Sequence, residues 1–242
     1  MLKIENVEVV GWEAAIRGMR NPKNSWAKSD SHWDYVNQGP EYLTVAHFDD
    51  ADFNIGPNDK KLMSTLRNAG TDHRKFMRMI TVYLDITAPL YWWKEFDTYK
   101  VGTVANSCST MHKIAAKEFT LEDFSCEHLC DDELELLKEI IARLNMNRIV
   151  FIAKDDKRVD RYSVMTDECY AKYKKKLWWQ MIQLLPSSYN QKRTVMLNYE
   201  VLANIYKSRR HHKLDEWHTL CDWIESLPYS ELITGKEEKA DV

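Results

Sequence analysis

Apolar and polar residues alternate along residues 80–86, a pattern that predicts a β-strand. Val82, Leu84 and Ile86 fall on one face of this strand, and the more polar residues between them fall on the other. A shorter strand is predicted over residues 7–10. It is followed by a predicted helix over residues 11–19 that ends near Pro22.

Apolar residues at helical spacing predict that most of the remaining chain is helical. One helix starts at Pro57 and is capped by Gly70, because glycine readily adopts the left-handed conformation found at helix ends. Another begins with Pro89 in its first turn, where the missing N–H costs nothing, and runs to about Tyr99. The other predicted helices cover residues 131–146, 166–185, 190–210 and 214–227.

The polar stretch at residues 22–56 is rich in Asn, Asp, Ser and Gly. It predicts a long loop or insertion with one short element around residues 42–46. The charged tail from residue 234 is expected to be frayed. With 242 residues and no internal repeat, the chain fits a single domain over residues 1–242 with a sizeable core.

The composition is that of a soluble globular protein, with 44% hydrophobic and 29% charged residues. The net charge of -3 gives no overall attraction to nucleic acid, so no nucleic-acid partner is expected. No apolar run approaches the roughly 20 residues that span a bilayer. The first residues carry an acid where a signal peptide would be apolar. We therefore expect a cytoplasmic protein with no membrane partner.

The five cysteines are odd in number in a long chain, which favours free thiols over a disulfide framework. Cys126, His128 and Cys130 lie close together and suggest a zinc site. Structural zinc needs four ligands, however, and the sequence offers no second pair at a suitable spacing. We expect partly buried thiols on a loop, and no metal.

Four lysines between residues 172 and 176 precede Trp178 and Trp179. Basic and aromatic residues together can bind single-stranded nucleic acid. The alternative is a solvated helix face whose tryptophans pack inward, and the acidic net charge favours this alternative.

Glycine-rich phosphate loops and the Gly-x-Ser-x-Gly nucleophile elbow are absent from the sequence. A bound nucleotide phosphate would therefore be held by Arg and Lys side chains. On the predicted helix at 190–210, Asn198 and Arg209 would share a face with Leu202 and Ile205. This face indicates either a ligand site or an Arg209 that snorkels off the helix end.

Two windows of the sequence resemble the flavin-dependent thymidylate synthases. That family has an Arg-His-Arg triplet after a helix and then the run x-x-Ser-x-Asn-Glu-x-Ser-x-Arg. Here the helix opens at Ala88-Pro89 and leads to Thr98-Tyr99-Lys100, and the run is Val101-Gly102-Thr103-Val104-Ala105-Asn106-Ser107-Cys108-Ser109-Thr110. Lys100 keeps a positive charge, Thr103 keeps a hydroxyl and Cys108 replaces the later serine. Ala105-Asn106 replaces Asn-Glu, and Thr110 replaces the final arginine.

The second window matches the family more closely. The family has Leu-Pro and, later, the pattern Asn-x-Arg-x-Leu-x-Asn-x-x-x-x-Arg. Here Leu185-Pro186 is followed by Asn198-Tyr199-Glu200-Val201-Leu202-Ala203-Asn204-Ile205-Tyr206-Lys207-Ser208-Arg209, in register without a gap. Glu200 replaces the middle arginine, and Ile182 stands where the family has an arginine before Leu-Pro. The resemblance runs from about Pro57 to about Ile224.

The resemblance implies an α/β fold with a mixed sheet flanked by helices and with long C-terminal helices. It also implies an enzyme of nucleotide biosynthesis that methylates dUMP to dTMP. The one-carbon unit would come from methylenetetrahydrofolate, and the hydride from FAD that NADPH has reduced. The expected assembly is a homotetramer whose sites are built from more than one subunit.

Residue by residue, the resemblance implies flavin contacts from Thr98, Tyr99, Lys100, Thr103, Asn106, Asn198 and Asn204. Arg209 would bind the nucleotide phosphate or the uracil, and Cys108 and Thr110 would line the nucleotide pocket. We add that His73 and Arg74, where the family has a Gly-His-Glu-x-Pro-Phe turn, replace cations lost toward the phosphate. The sequence does not identify a catalytic residue.

Two alternatives remain open from the sequence. A homologue that binds flavin or nucleotide could act on a different pyrimidine nucleotide or be inactive. A non-enzymatic helical interaction protein would instead use the tryptophan-rich helices and the lysine run, and none of FAD, folate or dUMP would stabilise it.

Overall fold

A computed structural model describes residues 1–35, 51–153 and 166–235 of the chain. The element predicted around residues 42–46 lies outside these ranges, as does the predicted frayed tail beyond residue 235. The chain divides into two compact units. The first unit contains Met1–Glu5, Asp85–Thr98 and Ala105–Val195, and the second contains Asn6–Leu84, Tyr99–Val104 and Met196–Val242. The single domain predicted for the whole chain stays a prediction.

Strands and helices are interspersed along the chain, as an α/β protein requires. A four-stranded sheet has the order β1-β4-β6-β5, and β2 pairs antiparallel with β3 in a separate sheet. In chain order the elements are β1 (Lys3–Val10), α1 (Trp12–Arg20), β2 (His32–Tyr35), β3 (Ala51–Asn54), α2 (Pro57–Asn68), β4 (Thr81–Pro89), α3 (Leu90–Phe96), β5 (Val104–Ser107), α4 (Thr110–Lys113), α5 (Asp131–Ile152), α6 (Asp167–Leu184), β6 (Asn190–Asn198), α7 (Tyr199–Arg209), α8 (Asp215–Glu225) and α9 (Glu231–Thr234).

The strand predicted over residues 80–86 is confirmed as β4. Val82 and Leu84 are buried, whereas Tyr83 between them is 43% exposed, because successive side chains of a strand point to opposite faces. Pro89 is the last residue of β4 and the N-cap of α3, not a residue of the first helical turn. The following helix ends at Phe96, before the predicted Tyr99.

The helix predicted over residues 190–210 is wrong in its first half. Asn190–Asn198 forms β6, in which Val195 and Leu197 are buried with the period of a strand. Helix α7 starts only at Tyr199. The side-chain oxygen of Asn198 accepts a hydrogen bond from the Val201 amide at 3.0 Å, so Asn198 is the N-cap of α7. Asn198 and Arg209 therefore do not share a helical face.

Helices α5 and α6 pack against each other in the first unit and contribute to its core. Leu137, Ile141 and Leu144 form the buried stripe of α5, and Met181 of α6 is fully buried in the same cluster. Helix α5 continues to Ile152 instead of ending at residue 146 as predicted, because the apolar run after residue 146 stays helical.

The basic run lies on α6. Trp178 packs against the core of the first unit and donates its Nε1 hydrogen to the Met111 carbonyl at 2.9 Å. Lys174 Nζ donates to the Ala153 carbonyl at 2.6 Å. Trp179 is 44% exposed, so only one of the two tryptophans packs inward.

The described ranges lack a membrane-spanning helix and a metal-binding cluster. No helix in them is long and apolar enough to cross a membrane. The same residues contain no group of three or more His, Cys, Asp or Glu side chains that could hold a metal ion. Cys126 is half-buried, as expected, but Cys130 is exposed.

A buried ion pair joins α1 to α2 in the second unit. Arg20 Nε lies 2.6 Å from Asp59 Oδ1, with the two side chains 4% and 0% exposed. The hydroxyls of Ser29 and Ser31 each donate to Asp59 Oδ2 at 2.7 Å. Burial alone would raise the pKa of the Asp59 carboxyl, but hydrogen bonds from Ser31, Ser29 and Arg20 together outweigh burial and lower that pKa.

We expect Asp59→Ala to lower the free energy of unfolding by about 3–5 kcal/mol, because Arg20 would remain buried without its carboxylate. Urea denaturation at neutral pH measures this loss. The matched control is Asp72→Ala at an exposed position of the same unit, with a change within about 0.5 kcal/mol.

The same pair predicts a pH dependence. Because the folded-state pKa of Asp59 is depressed, its contribution is present above the unfolded-state pKa of about 4 and is lost as pH falls through the folded-state pKa. The stability difference between wild type and Asp59→Ala should therefore shrink in acid. A difference that stays constant as the pH falls would contradict this account.

Candidate functional site

Arg209 ends α7 in the second unit and lies between two aromatic side chains. Its Nε donates a hydrogen bond to the Tyr99 hydroxyl at 3.0 Å, and its guanidinium carbon lies 4.7 Å from the centre of the Trp217 ring. The two rings meet edge to face, with centroids 6.1 Å apart. A hydrogen bond and a cation–π contact together fix the orientation of the guanidinium. Arg209 is therefore held in place and does not snorkel into solvent.

This contact joins the two sequence windows, since Tyr99 lies at the triplet position and Arg209 closes the second window. Gly102 joins them a second time. Its φ is +79°, and a Cβ atom there would lie 2.8 Å from Asn198 Nδ2 and 3.2 Å from Val201 Cγ2. The backbone of the loop thus lies directly against the start of α7, where only glycine fits.

Thr103, the next residue of this loop, carries a buried hydroxyl. Its Oγ1 has no hydrogen-bond partner within the ranges that the structure describes. Buried polar groups in folded proteins nearly always have a partner, so an unsatisfied hydroxyl at this position needs an explanation. A ligand that hydrogen-bonds Thr103 provides one.

Arg74, in the turn before β4, contacts the second window at another point. Arg74 Nε lies 2.9 Å from Glu200 Oε2, and Arg74 Nη2 donates to Asn204 Oδ1 at 3.4 Å. The Glu200 side chain is only 7% exposed, and a buried carboxylate is costly unless a cation pairs with it. The glutamate that replaces a family arginine is therefore matched by an arginine from another part of the chain.

Cys108 and Thr110 lie in the first unit, where they line a cavity of about 770 Å³. Gln191 of β6 holds this segment, because its Nε2 donates both to the Cys108 carbonyl and to Thr110 Oγ1, each at 3.0 Å. Burial raises the pKa of Tyr189, which also lines the cavity, so its phenol stays protonated and can donate a hydrogen bond.

Lysines supply the positive charge of this cavity. Lys192 lies 3.0 Å from Asp85 Oδ2, and the hydrogen bond to that carboxylate raises the pKa of Lys192. Lys117 pairs with Asp123. Lys113 also lines the cavity and makes no ion pair with any residue that the structure describes. Among the lysines that line this cavity, Lys113 is therefore the one whose charge is most available to a bound anion.

Three of the predicted flavin contacts lie outside the groups of residues around Arg209, Arg74 and Cys108. Thr98, Lys100 and Asn106 are exposed, and the Thr98 hydroxyl donates to the Glu95 carbonyl at 2.7 Å at the end of α3. The predicted site residues also fall in both units, with Cys108, Thr110, Thr98 and Asn106 in the first and the others in the second.

Sequence reasoning missed Gln191, Lys113 and Lys192. Gln191 and Lys192 were assigned to a helix, which hid their position on a strand of the sheet. The sequence contains a signal for Lys113, because this lysine follows Thr110, which the resemblance places in the nucleotide pocket.

Comparison with known proteins identifies the fold. No sequence family matches the chain, and no curated protein matches it by sequence. Among solved structures, it matches the flavin-dependent thymidylate synthase ThyX from Helicobacter pylori complexed with FAD and dUMP, with a TM-score of 0.59 and 15% identity over 96% of this chain and 97% of that one. It also matches the UMP/dUMP methylase PolB from Streptomyces cacaoi bound with 5-Br dUMP, with a TM-score of 0.50 and 10% identity over 93% and 89%. The fold implied by the two sequence windows is therefore confirmed.

Gly102→Ala tests the close approach of the loop to α7. It should lose about 1–2 kcal/mol to left-handed backbone strain and a further 1–3 kcal/mol, roughly, to overpacking against Asn198 and Val201. Gly70→Ala is the matched control, because its φ is +104° but nothing lies within 4 Å of the added Cβ. Urea denaturation gives both losses, and equal losses would show that the loop does not contact the start of α7.

Proposed function

We propose that this chain is a flavin-dependent methyltransferase that converts dUMP to dTMP. The observation that carries the proposal is the hydrogen bond between Arg209 and Tyr99, which brings both windows of the resemblance together in a chain with the ThyX fold. The methyl carbon would come from methylenetetrahydrofolate, and NADPH would reduce the FAD. The proposed assembly is a cytoplasmic homotetramer.

Arg209 is the proposed contact to the nucleotide phosphate or the uracil. Its Nε is used by Tyr99, and the guanidinium fork can donate paired hydrogen bonds to phosphate or carbonyl oxygens. The Trp217 ring supports the face of the guanidinium without adding a charge. Arg209 would therefore meet a planar or anionic group in a fixed geometry, which lowers the entropy lost on binding.

The second unit offers a buried Thr103 hydroxyl without a partner among the described residues, and a bound flavin would satisfy it. We assign the partner of this hydroxyl to the flavin, and we propose that Tyr99 stacks on its ring system. Asn198 and Asn204 use their side-chain oxygens within the protein, so each offers its Nδ2 group as a donor. Thr98, Lys100 and Asn106 remain proposed contacts at exposed positions. When bound, the flavin would supply the hydride that reduces the transferred carbon.

The cavity of the first unit supports a nucleotide ligand as well. Its volume of about 770 Å³ is in the usual range for small-molecule sites. Thr110, which replaces a family arginine, cannot pair with a phosphate, but Lys113 in the next turn can do so as a point charge. Cys108 is proposed to line this pocket with Thr110.

A second candidate is the same chemistry on a different pyrimidine nucleotide. The arginines of the family pattern are replaced by Thr98, Thr110, Ile182 and Glu200 in this chain and by lysine at Lys100, so the set of cations around the ligand is different. The neighbour PolB, described as a UMP/dUMP methylase, shows that proteins of this fold can take ribonucleotides.

Retention of FAD is the first test. After mixing with FAD and gel filtration, the protein should keep the visible absorption of the flavin, and saturating FAD at about 100 times its Kd should add about 2.7 kcal/mol of stability. With NADPH and methylenetetrahydrofolate it should then methylate dUMP, measured by mass spectrometry of the nucleotide, with UMP assayed in parallel. Turnover of UMP alone would select the second candidate. No binding of FAD, dUMP or UMP would contradict both and favour the helical interaction protein.

Thr103→Val sharpens this test because it removes only the hydroxyl. The apo-protein should be equally or more stable, since an unsatisfied buried hydroxyl is replaced by a methyl group of similar shape. FAD affinity should fall about fivefold, the equivalent of one hydrogen bond. Unchanged FAD affinity would remove Thr103 from the flavin site.

Arg209→Gln should weaken dUMP binding about 10- to 100-fold, because it removes a charged hydrogen-bonding group. Arg74→Ala should also weaken it, but this variant leaves Glu200 buried without its partner. The double variant Arg74→Ala/Glu200→Ala removes that complication, and Lys61→Gln at an exposed site is the control. Calorimetric titration with dUMP gives all four affinities. Wild-type affinity in the double variant would rule out a phosphate contact by Arg74.

A further inference from the structure

The second unit contains a cavity of about 690 Å³ whose lining has five basic residues and no acid among those that the structure describes. The basic residues are Arg67, Arg74, Lys207, Arg210 and His211. Such a concentration of like charge around one opening is unfavourable unless carboxylates behind the wall or a bound anion balance it.

Two of these cations are balanced by the protein itself. Arg74 pairs with Glu200 at 2.9 Å. Arg210 contacts Asp222, and its Nη2 lies 3.3 Å from Glu225 Oε1. The first pair joins the turn before β4 to α7, and the second joins the end of α7 to α8. Both cations are thus partly neutralised within the protein.

Arg67 and Lys207 are different. Arg67 donates to the Leu232 and Ile233 carbonyls at 3.2 and 3.3 Å, which are neutral acceptors. Within the described ranges neither Arg67 nor Lys207 makes an ion pair with a carboxylate. Burial and the nearby charge of Arg74 both lower the pKa of Arg67, which shows that the two guanidinium groups feel each other. Among the described residues, two positive charges at this cavity therefore have no acidic partner.

The Arg67 guanidinium is also fixed in place. The backbone at Gly235, with a φ of +72°, passes so close that a Cβ atom there would lie 2.2 Å from Arg67 Nη2. Glycine is required at this point because the chain closes over the guanidinium in a left-handed conformation. A charge that is oriented by neutral carbonyls is preorganised for an anion.

We infer that this cavity binds a phosphate-bearing small molecule, with Arg67 and Lys207 holding the phosphate. Two positive charges without an acidic partner among the described residues match a phosphate dianion, and a guanidinium fork beside an ammonium point charge suits its oxygens. The volume of about 690 Å³ exceeds what a phosphate alone needs, and Tyr206 and Ile233 supply an apolar wall for an organic body. The inference extends the role proposed for Arg74, and it rests on the proposed function only for the identity of the ligand.

Calorimetric titration of the full chain with inorganic pyrophosphate, without FAD or dUMP, tests the site. We expect binding at one site per chain, weakened at least about tenfold by Lys207→Gln and unchanged by the control Lys61→Gln on the exposed surface of α2. Lys207 is exposed and unpaired in the described ranges, so its substitution should leave the thermal stability unchanged. No binding of pyrophosphate, or equal binding by both variants, would overturn the inference.

Arg67→Lys separates the fork geometry from the charge. This variant keeps a positive charge but loses the bidentate fork, so pyrophosphate should bind several-fold more weakly to the folded protein. If circular dichroism shows that Arg67→Lys is unfolded, the titration of Lys207→Gln tests the inference by itself.

Competition identifies the source of the phosphate. Displacement of pyrophosphate by dUMP would assign the site to the substrate nucleotide, and displacement by FAD but not dUMP would assign it to the cofactor. Displacement by neither would keep the phosphate site and separate it from the proposed function. Retained FAD and dUMP binding with no pyrophosphate binding would overturn this inference alone.

Discussion

The need to pair buried charges shapes the second unit. Glu200 sits in the first turn of α7 and is almost fully buried, which is tolerable only because Arg74 reaches it from the turn before β4. This pair fixes the N-terminal end of α7, as the Asn198 cap does from the other side of the same turn. A helix is rigid over its length, so the pair also fixes the far end that carries Arg209. The position of the helix end that carries Arg209 thus depends in part on this ion pair, whereas Tyr99 and Trp217 orient its guanidinium.

Glu200 stands where the resembled family pattern has an arginine, so the local charge differs from that pattern by more than one cation. The acid is favourable at the N-terminus of α7, but it consumes the charge of Arg74. An anion that approaches this side of the unit therefore needs other cations besides Arg74. Arg67 and Lys207 are placed to meet it, because one is held by neutral carbonyls and the other is unpaired in the described ranges. These two cations lie on α2 and on α7.

The sequence predicted the elements in which one period dominates, such as the alternating strand β4 and the buried stripe of α5. It also predicted the fold, because two short windows matched in register. It failed over residues 190–198, where only Val195 and Leu197 are buried and the alternation covers too few residues to outweigh the helical match that follows. It predicted Arg209 as a ligand contact, which stays a prediction, but it could not show that Tyr99 and Trp217 hold it. Contacts such as Arg74 with Glu200, which are 126 residues apart, arise from tertiary packing and leave no local pattern.

The arginines of this protein serve two different purposes, and the partner of each indicates which one. Arg20 pairs with a buried carboxylate, so its charge is neutralised inside the protein and is not available to a ligand. Arg67 is held by backbone carbonyls, which orient a guanidinium without neutralising it. Tyr99 and Trp217 orient Arg209 through a phenol oxygen and an indole face. Holding a cation with neutral groups is costly for stability unless an anion binds, because the charge loses part of its hydration and gains no counter-ion. This cost makes Arg67 a stronger candidate for a ligand contact than Arg20, although both are arginines fixed by the fold.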